Sequence, residues 1–219
     1  MKGILSMLPG RECNICGWRG LRFRPMTAPR YVRKDALCPS CGSHERHRAL
    51  VHFFVKKENL RGKKVLEIAP VQKLASFFVG NGARYFSMDL FTNAAVKGDL
   101  RHAPFRDDSF DLILCYHVLE HIKEDHRALM ELKRMLSQEG RLYVQVPMDL
   151  KLARTEEYET PDLYAHYHVR QYGTDFSKRL KDAGLFFKEY DFREFLTKGE
   201  RRRYGCTKAV GLTYVCSKR

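Results

Sequence analysis

The chain has 219 residues, a net charge of +14 and 44% hydrophobic residues, which suits one α/β domain with a small additional module. No apolar run approaches the roughly 20 residues of a membrane-spanning helix, and the apolar N-terminal segment is too short for a signal peptide. The sequence therefore argues against a membrane span. It predicts a cytoplasmic protein whose cysteines are free or metal-bound rather than paired in disulfides.

The positive charge is concentrated at the start of the chain. Residues 1–64 contain 15 Lys+Arg and 4 Asp+Glu, whereas the rest contains 25 and 22. A basic segment of this kind is typical of phosphate binding, and it is equally typical of a solvated surface. RNA is therefore one possible partner of this basic head.

Four of the seven cysteines form two C-x₂-C pairs, Cys13 with Cys16 and Cys38 with Cys41. Two such turns supply four thiolates, the donor set of a tetrahedral structural Zn²⁺ site. The spacing predicts a zinc-ribbon module over residues 1–42, and the alternative is a chance pairing of buried thiols. His44 and His47 follow closely, as substitute ligands or, more simply, as capping residues of the next helix.

A helix is predicted to connect this module to the rest of the chain, over residues 43–62. Ser43 is a suitable N-cap. Ala49, Leu50, Phe53 and Phe54 recur at helical spacing up to about Leu60.

From residue 63 to 219 the pattern alternates between strands and helices. The predicted strands are KKVLEIA, ARYFSMDL, FDLILCY, RLYVQVP, LFFKEYDF and AVGLTYVCSK, and the predicted helices are QKLASFFVG, EDHRALMELKRML and TDFSKRLKDAG. This alternation predicts an α/β fold with a doubly wound, mostly parallel sheet. Ligands of such sheets bind beyond the carboxyl ends of the strands.

Acidic residues stand at the ends of successive strands. Glu67 ends the first strand, and Asp89 follows it at the spacing of a carboxylate that binds ribose hydroxyls. Asp99 lies near the expected third strand, where a carboxylate can accept a hydrogen bond from an adenine amino group. The predicted nucleotide-type cofactor site is completed by the neighbouring residues Ala69, Pro70, Leu90, Leu100, Tyr116 and His117.

The run from DLRHAPF through SFDLILCYHVLEH to RLYVQVP resembles class I S-adenosylmethionine-dependent methyltransferases. Its order is most similar to the quinone-methyltransferase-like (type 11) group, over about residues 63–190. A sub-group of these proteins carries a two-knuckle head with CPSCGSHERHR and a strand ending in IAP, as in this chain. The resemblance implies that residues 63–219 form one methyltransferase domain. It further implies a Rossmann-like, seven-stranded sheet whose last hairpin is antiparallel, and S-adenosylmethionine as cofactor.

The turn after the first strand lacks the glycines common in nucleotide sites, because Ala69 and Pro70 stand there. S-adenosylmethionine has no pyrophosphate, so a close backbone approach is not required. Proline is tolerated at a first helical position. Glu67 can receive the ammonium group of the cofactor directly or through water, and the alternative is a degenerate turn that binds nothing.

Histidines mark the expected methyl-transfer site. His117 and His121 follow the FDLILC strand and are candidate general bases. In the segment TPDLYAHYHVRQYGTDF, His168 is a further candidate base, and Arg170 is suited to grip an anionic group. His166 and Tyr172 complete the predicted acceptor site. The alternative is that these side chains shape the pocket or form a structural lid.

Three functions remain open from the sequence. The first is O-methylation of a small-molecule or glycan hydroxyl. The second is RNA methylation with the basic head holding RNA, although CYHV replaces the N-P-P-Y type motif expected for a base amino group. The third is a non-catalytic module that binds zinc, cofactor and a partner.

Overall fold

The computed structural model describes residues 10–28, 31–207 and 211–219. The apolar segment at residues 1–9 and the predicted start of the last strand at Ala209 and Val210 lie outside the described residues. The chain divides into two compact units, Met1–Asn59 with Asp191–Val210 and Leu60–Tyr190 with Gly211–Arg219. We call them the head unit and the sheet unit.

The secondary structure follows the predicted alternation. The α-helices are α1 (Glu45–Lys57), α2 (Gln72–Gly80), α3 (Asp125–Met135), α4 (Phe176–Asp182) and α5 (Lys198–Arg203). The strands are β1 (Arg11–Glu12), β2 (Arg19–Gly20), β3 (Arg24–Ala28), β4 (Tyr31–Leu37), β5 (Lys64–Ile68), β6 (Arg84–Asp89), β7 (Val96–Lys97), β8 (Phe110–Tyr116), β9 (Leu136–Gln145), β10 (Glu156–Asp162), β11 (His168–Gln171), β12 (Phe186–Tyr190) and β13 (Thr213–Ser217).

In the head unit, two small antiparallel pairs, β1–β2 and β3–β4, precede α1. The predicted N-cap of this helix is wrong by one residue, since His44 occupies the cap position. The His44 backbone N–H donates to Nδ1 of His47 at 3.2 Å. Ser43 instead places its hydroxyl 3.1 Å from the sulfur of Cys41. The helix ends at Lys57, earlier than the predicted Leu60.

The segment Asp191–Val210 belongs to the head unit, whereas the sequence placed it in the methyltransferase domain. The ring of Phe192 stacks on Phe53 of α1 at a centroid distance of 4.4 Å. Arg48 is fully buried. Its Cζ lies 3.8 Å from the ring centroid of Phe23, and its Nε donates to the Tyr204 carbonyl at 2.6 Å. Aromatic stacking and a buried cation therefore fasten this distant segment to the head.

The sheet unit contains a seven-stranded sheet in the order β12-β13-β9-β8-β5-β6-β7. Strands β5 to β9 are parallel, and β13 pairs antiparallel with both β9 and β12. The predicted fold class, a Rossmann-like α/β sheet with an antiparallel last hairpin, is confirmed.

Helix α3 covers the sheet with the apolar stripe that its sequence predicts. Ala128, Leu129, Leu132 and Met135 are fully buried in the core of the sheet unit. The helix ends at Met135, one residue before the predicted end at Leu136, because β9 begins to pair with β8 at Leu136. Among the described residues, no helix has the length and apolar character needed to cross a bilayer.

Candidate active site

A cavity of about 780 Å³ opens at the carboxyl ends of β5, β6 and β8. This volume is ordinary for a small-molecule site. Of the residues predicted from the sequence, those that line it are Ala69, Asp89, Leu90, Asp99, Leu100, His117, His121 and His166. Glu67, Pro70, Tyr116, His168, Arg170 and Tyr172 are not among its lining residues.

The glycine-free turn adopts the backbone conformation that glycine usually supplies. Ala69 has φ = +52°, in the left-handed region, and its N–H donates to the Met88 carbonyl at 2.9 Å. Pro70 precedes the N-cap residue Val71, so it lies outside the helix rather than at its first position. The turn therefore forms without glycine and contributes Ala69 to the cavity wall.

The carboxyl group of Glu67 stabilises this turn through hydrogen bonds. The side chain is 4% exposed, and its Oε1 accepts from the Val71 N–H at 3.0 Å. Its Oε2 accepts from the hydroxyl of Tyr85 at 2.7 Å. Burial raises the pKa of the Glu67 carboxyl to about 7. Because both oxygens are occupied and buried, the structure does not support a direct contact between Glu67 and the cofactor's ammonium group.

Asp89 ends β6 at the cavity in a form suited to hydroxyl groups. Its Oδ1 accepts from the N–H groups of Phe91 at 2.6 Å and Thr92 at 2.8 Å. Its Oδ2 receives no hydrogen bond from the described part of the chain. The backbone thus orients the carboxylate and leaves one oxygen for a ligand.

Asp99, by contrast, is already engaged by a neighbour. The Arg101 guanidinium binds it in bidentate fashion, with Nη2 2.6 Å from Oδ2 and Nε 3.1 Å from Oδ1. This pairing lowers the pKa of Asp99. The predicted contact with an adenine amino group would have to share the carboxylate with Arg101, so Asp99 is a weaker cofactor candidate than Asp89.

His117 leaves β8 in a strained conformation. It has φ = +56°, and its N–H donates to the Gln145 carbonyl at 2.9 Å. Its Nδ1 lies 3.2 Å from Oε1 of Glu120, which is fully buried. Left-handed backbone at a residue other than glycine is uncommon and recurs at functional sites. The strand end thus presents an imidazole at the cavity, next to a buried carboxylate.

Two other histidines meet at the same carboxylate. The rings of His121 and His168 lie 4.9 Å apart in an edge-to-face arrangement, and His168 Nε2 is 3.9 Å from Glu120 Oε1. Burial lowers the pKa of His168. His166 has its ring 6.4 Å from that of His168. The sequence predicted these histidines but missed Glu120, whose only signal was its place inside HVLEH.

Arg170 and Tyr172 are not available to an acceptor, which corrects the sequence prediction. Arg170 is 2% exposed, with Nε 2.9 Å from Glu157 and Nη1 donating to the Leu119 carbonyl at 3.0 Å. Tyr172 is fully buried, and its hydroxyl donates to Asp125 at 2.7 Å. These side chains hold β11 against the segment that carries the histidines.

The four paired cysteines of the head converge on one point. All their sulfurs lie within 4.8 Å of one another, and the Cys13–Cys41 and Cys16–Cys38 pairs are each 3.7 Å apart. A tetrahedral zinc site with Zn–S bonds of about 2.3 Å has edges of about 3.8 Å. Burial raises the pKa of the Cys38 thiol to about 12, so this thiol needs a nearby cation to ionise at neutral pH. The donor set therefore fits Zn²⁺.

Glycines shape both cysteine turns. Gly17 has φ = +74° and donates to the Cys13 carbonyl, and Gly42 has φ = +68° and donates to the Cys38 carbonyl. A side chain at either position would force a rare left-handed conformation. These turns aim the two sulfurs of each pair at the same centre.

Comparison with known proteins identifies the central part of the chain. Residues 63–144 match the family model described as a methyltransferase domain. An uncharacterized protein of Methanocaldococcus jannaschii is 46% identical over 51 residues, which cover 23% of this chain and 22% of that protein. The chain therefore spans about a fifth of the length of this relative.

Solved structures share the fold at low identity. An S-adenosylmethionine-dependent methyltransferase from Mesorhizobium loti has a TM-score of 0.56 at 12% identity, over 78% of this chain and 97% of its own. The 1,6-didemethyltoxoflavin-N1-methyltransferase of Burkholderia thailandensis, solved with S-adenosylhomocysteine, has a TM-score of 0.51 at 15% identity, over 78% and 76%. Residues 63–144 therefore match a methyltransferase domain, and the seven-stranded sheet with the cavity at its carboxyl edge shares the fold of S-adenosylmethionine-dependent methyltransferases.

Proposed function

We propose that this protein transfers a methyl group from S-adenosylmethionine to a hydroxyl oxygen of a small molecule or glycan. One observation carries the proposal. A single cavity joins a carboxylate with an available oxygen, on Asp89, to a wall of histidines that includes His117 and His121. One side suits a nucleoside, and the other suits removal of a proton from the acceptor.

The cofactor side is built from β5, β6 and the segment after β7. Asp89 would accept hydrogen bonds from ribose hydroxyls, and the apolar side chains of Leu90 and Leu100 would flank the base. The turn at Ala69 would face the amino-acid end. When bound, S-adenosylmethionine supplies a methyl group that is already activated by its sulfonium.

The acceptor side must remove a proton, because a neutral hydroxyl is a weak nucleophile. We assign this role to Nε2 of His117, since Nδ1 lies 3.2 Å from the Glu120 carboxylate. His117 Nε2 would accept the hydroxyl proton while the acceptor oxygen takes the methyl group that S-adenosylmethionine would supply. A positioned base contributes roughly 10²- to 10⁴-fold to the rate of such a step.

The test joins calorimetry to a transfer assay. S-adenosylmethionine is titrated into the purified protein, which is then incubated with methyl-labelled cofactor and fractionated glycan or small-molecule extracts. We expect His117→Ala to lose about 10²-fold or more in transfer rate while its cofactor affinity stays within about threefold. His126→Ala, on the exposed side of α3, is the matched control. Absence of binding heat would refute both enzyme hypotheses, transfer to a small-molecule or glycan hydroxyl and transfer to RNA. Cofactor binding without methyl transfer would favour a non-catalytic module.

RNA is the second candidate acceptor, and the charge of the head unit favours it. This unit contains 18 Lys+Arg and 7 Asp+Glu, and its exposed side chains include Arg22, Arg24 and Arg202. Binding to single-stranded RNA should weaken with salt, with a logarithmic slope of about −0.7 for each phosphate contacted. A steep salt dependence together with methyl transfer to RNA would show that RNA, rather than a small molecule or glycan, is the acceptor.

We also propose that the head holds one structural Zn²⁺ through Cys13, Cys16, Cys38 and Cys41. The tetrahedral spacing of the sulfurs supports this assignment. With all four positions filled by protein, such an ion stabilises the fold and takes no part in the transfer.

A further inference from the structure

Glu120 is a buried carboxylate without a hydrogen bond. It is 0% exposed, and neither Oε1 nor Oε2 has a hydrogen-bond partner among the described residues. An ionised carboxylate in such a place is costly unless a cation or several donors compensate it. The site therefore calls for a positive charge near these oxygens.

The atoms around this carboxylate form a metal-type donor set. One oxygen of Glu120 and one ring nitrogen each of His121 and His168 all lie within 4.8 Å of one another. Around a tetrahedral ion with ligands about 2.1 Å away, donor atoms are about 3.4 Å apart, so the donors would have to close by at most about 1.4 Å to bind an ion. Two histidines and one carboxylate are the ligands of many catalytic metal sites.

The histidines alone do not compensate the carboxylate well. His117 approaches Glu120 Oε1 at 3.2 Å, yet the contact lacks hydrogen-bond geometry. A protonated His117 would be the other source of positive charge near Glu120. Metal analysis distinguishes this alternative from a bound metal ion.

We propose that Glu120, His121 and His168 bind a divalent transition-metal ion of the Zn²⁺ type, distinct from the ion of the cysteine cluster. His121 lines the cavity, so the remaining coordination positions face the acceptor side. A metal ion there would bind the acceptor oxygen and lower its pKa, with His117 taking the released proton. That catalytic role rests on the proposed function, whereas binding of the ion does not.

Metal stoichiometry tests the proposal without any assay of activity. The full-length protein is saturated with Zn²⁺, freed of excess by gel filtration, and analysed for metal. We expect two equivalents per chain in the wild type and one in Glu120→Gln and in His121→Ala. His126→Ala should keep two. Since His121 is exposed, its replacement leaves the core untouched even if Glu120→Gln impairs folding.

Cobalt provides a second readout. Co²⁺ bound to four thiolates shows sulfur-to-metal charge-transfer absorption, and Co²⁺ bound to two histidines and a carboxylate does not. The second equivalent should therefore add d–d absorption without charge transfer and should vanish in His121→Ala. One equivalent in the wild type, or two in every variant, would overturn the proposal. Titration of S-adenosylmethionine into the same samples shows separately whether the proposed function fails.

Discussion

The cysteine-bearing ribbon of the head unit, described over residues 10–28 and 31–42, and the sheet unit are stabilised in different ways. The ribbon's buried cluster consists of Cys13, Phe23 and Cys38, with the other two paired cysteines packed against it. The sheet unit instead buries a large continuous cluster of aliphatic and aromatic side chains across β5, β8, β9 and α3. With the zinc ion that we propose, the ribbon depends on a metal for its core, whereas the sheet unit supplies its own. A metal-dependent fold can be lost without loss of the cofactor cavity.

Removal of one zinc ligand is the strongest way to test this difference. In Cys38→Ser we expect the ribbon to unfold, since structural zinc contributes roughly 10 kcal/mol or more of apparent binding free energy. Zinc content should fall by one equivalent, and protease cleavage should appear within residues 10–43. The sheet unit should still bind S-adenosylmethionine.

The matched control is Cys216→Ser, a buried cysteine of β13 that is no zinc ligand. It should cost some stability in the sheet unit and keep the full zinc content. If Cys38→Ser retained its zinc and a protected ribbon, the metal-dependent reading of the head would be wrong.

The second prediction concerns the pH dependence of the folding stability of the sheet unit. Burial raises the pKa of Glu67 to about 7 from an ordinary value of 4.5. The folded state then binds the proton more tightly, so this stabilising contribution is complete below about pH 4.5 and is lost as pH rises through 7. Over that window the loss is on the order of 3 kcal/mol.

Urea unfolding of the sheet unit between pH 5.5 and 8 measures this contribution. The wild type should lose stability with rising pH relative to Glu67→Gln, whose side chain does not titrate. Because both proteins share the same cysteine cluster, its own pH dependence cancels in the difference. Parallel curves for the two proteins would show that Glu67 has an ordinary pKa in the folded state.

The third prediction separates binding from stability in the sheet unit. Asp89→Asn keeps the oxygen that accepts from Phe91 and Thr92 but removes the negative charge offered to a ligand. We expect about a tenfold to 100-fold loss in S-adenosylmethionine affinity, since a hydrogen bond to a charged group contributes about 1.5–3 kcal/mol. Zinc content and melting should not change. The control is Asp107→Asn, because the Asp107 side chain is exposed at its salt bridge with Arg134.

The sequence predicted those parts of the molecule that short-range patterns encode. The cysteine spacing, the alternation of strands and helices, and the position of Asp89 at the end of β6 each depend on a few neighbouring residues. All three appear in the structure as the sequence indicated. Local chemistry was enough because the chain geometry of a turn or strand end fixes where these side chains lie.

Sequence reasoning failed where distant segments decide the environment. Arg170 looked like a free cation, yet its guanidinium donates to the carbonyls of Leu119, Ile122 and Lys123 and pairs with Glu157. Glu120 gave no signal beyond its place inside HVLEH, and only the approach of His168 on β11 reveals it as the centre of the histidine cluster. Likewise, no local pattern shows that Asp191–Val210 packs with the head.

The smallest predicted effect lies in the turn that replaces glycine with alanine. Ala69→Gly should change the free energy of unfolding by less than about 1 kcal/mol, because relief of the left-handed backbone, about 1 kcal/mol, offsets the added freedom of the unfolded chain. The same change at Ala128, inside α3, should cost about 1 kcal/mol or more. If both variants lost equal stability, Ala69 would carry no strain, and the Glu67–Val71 hydrogen bond would be what holds the turn in place.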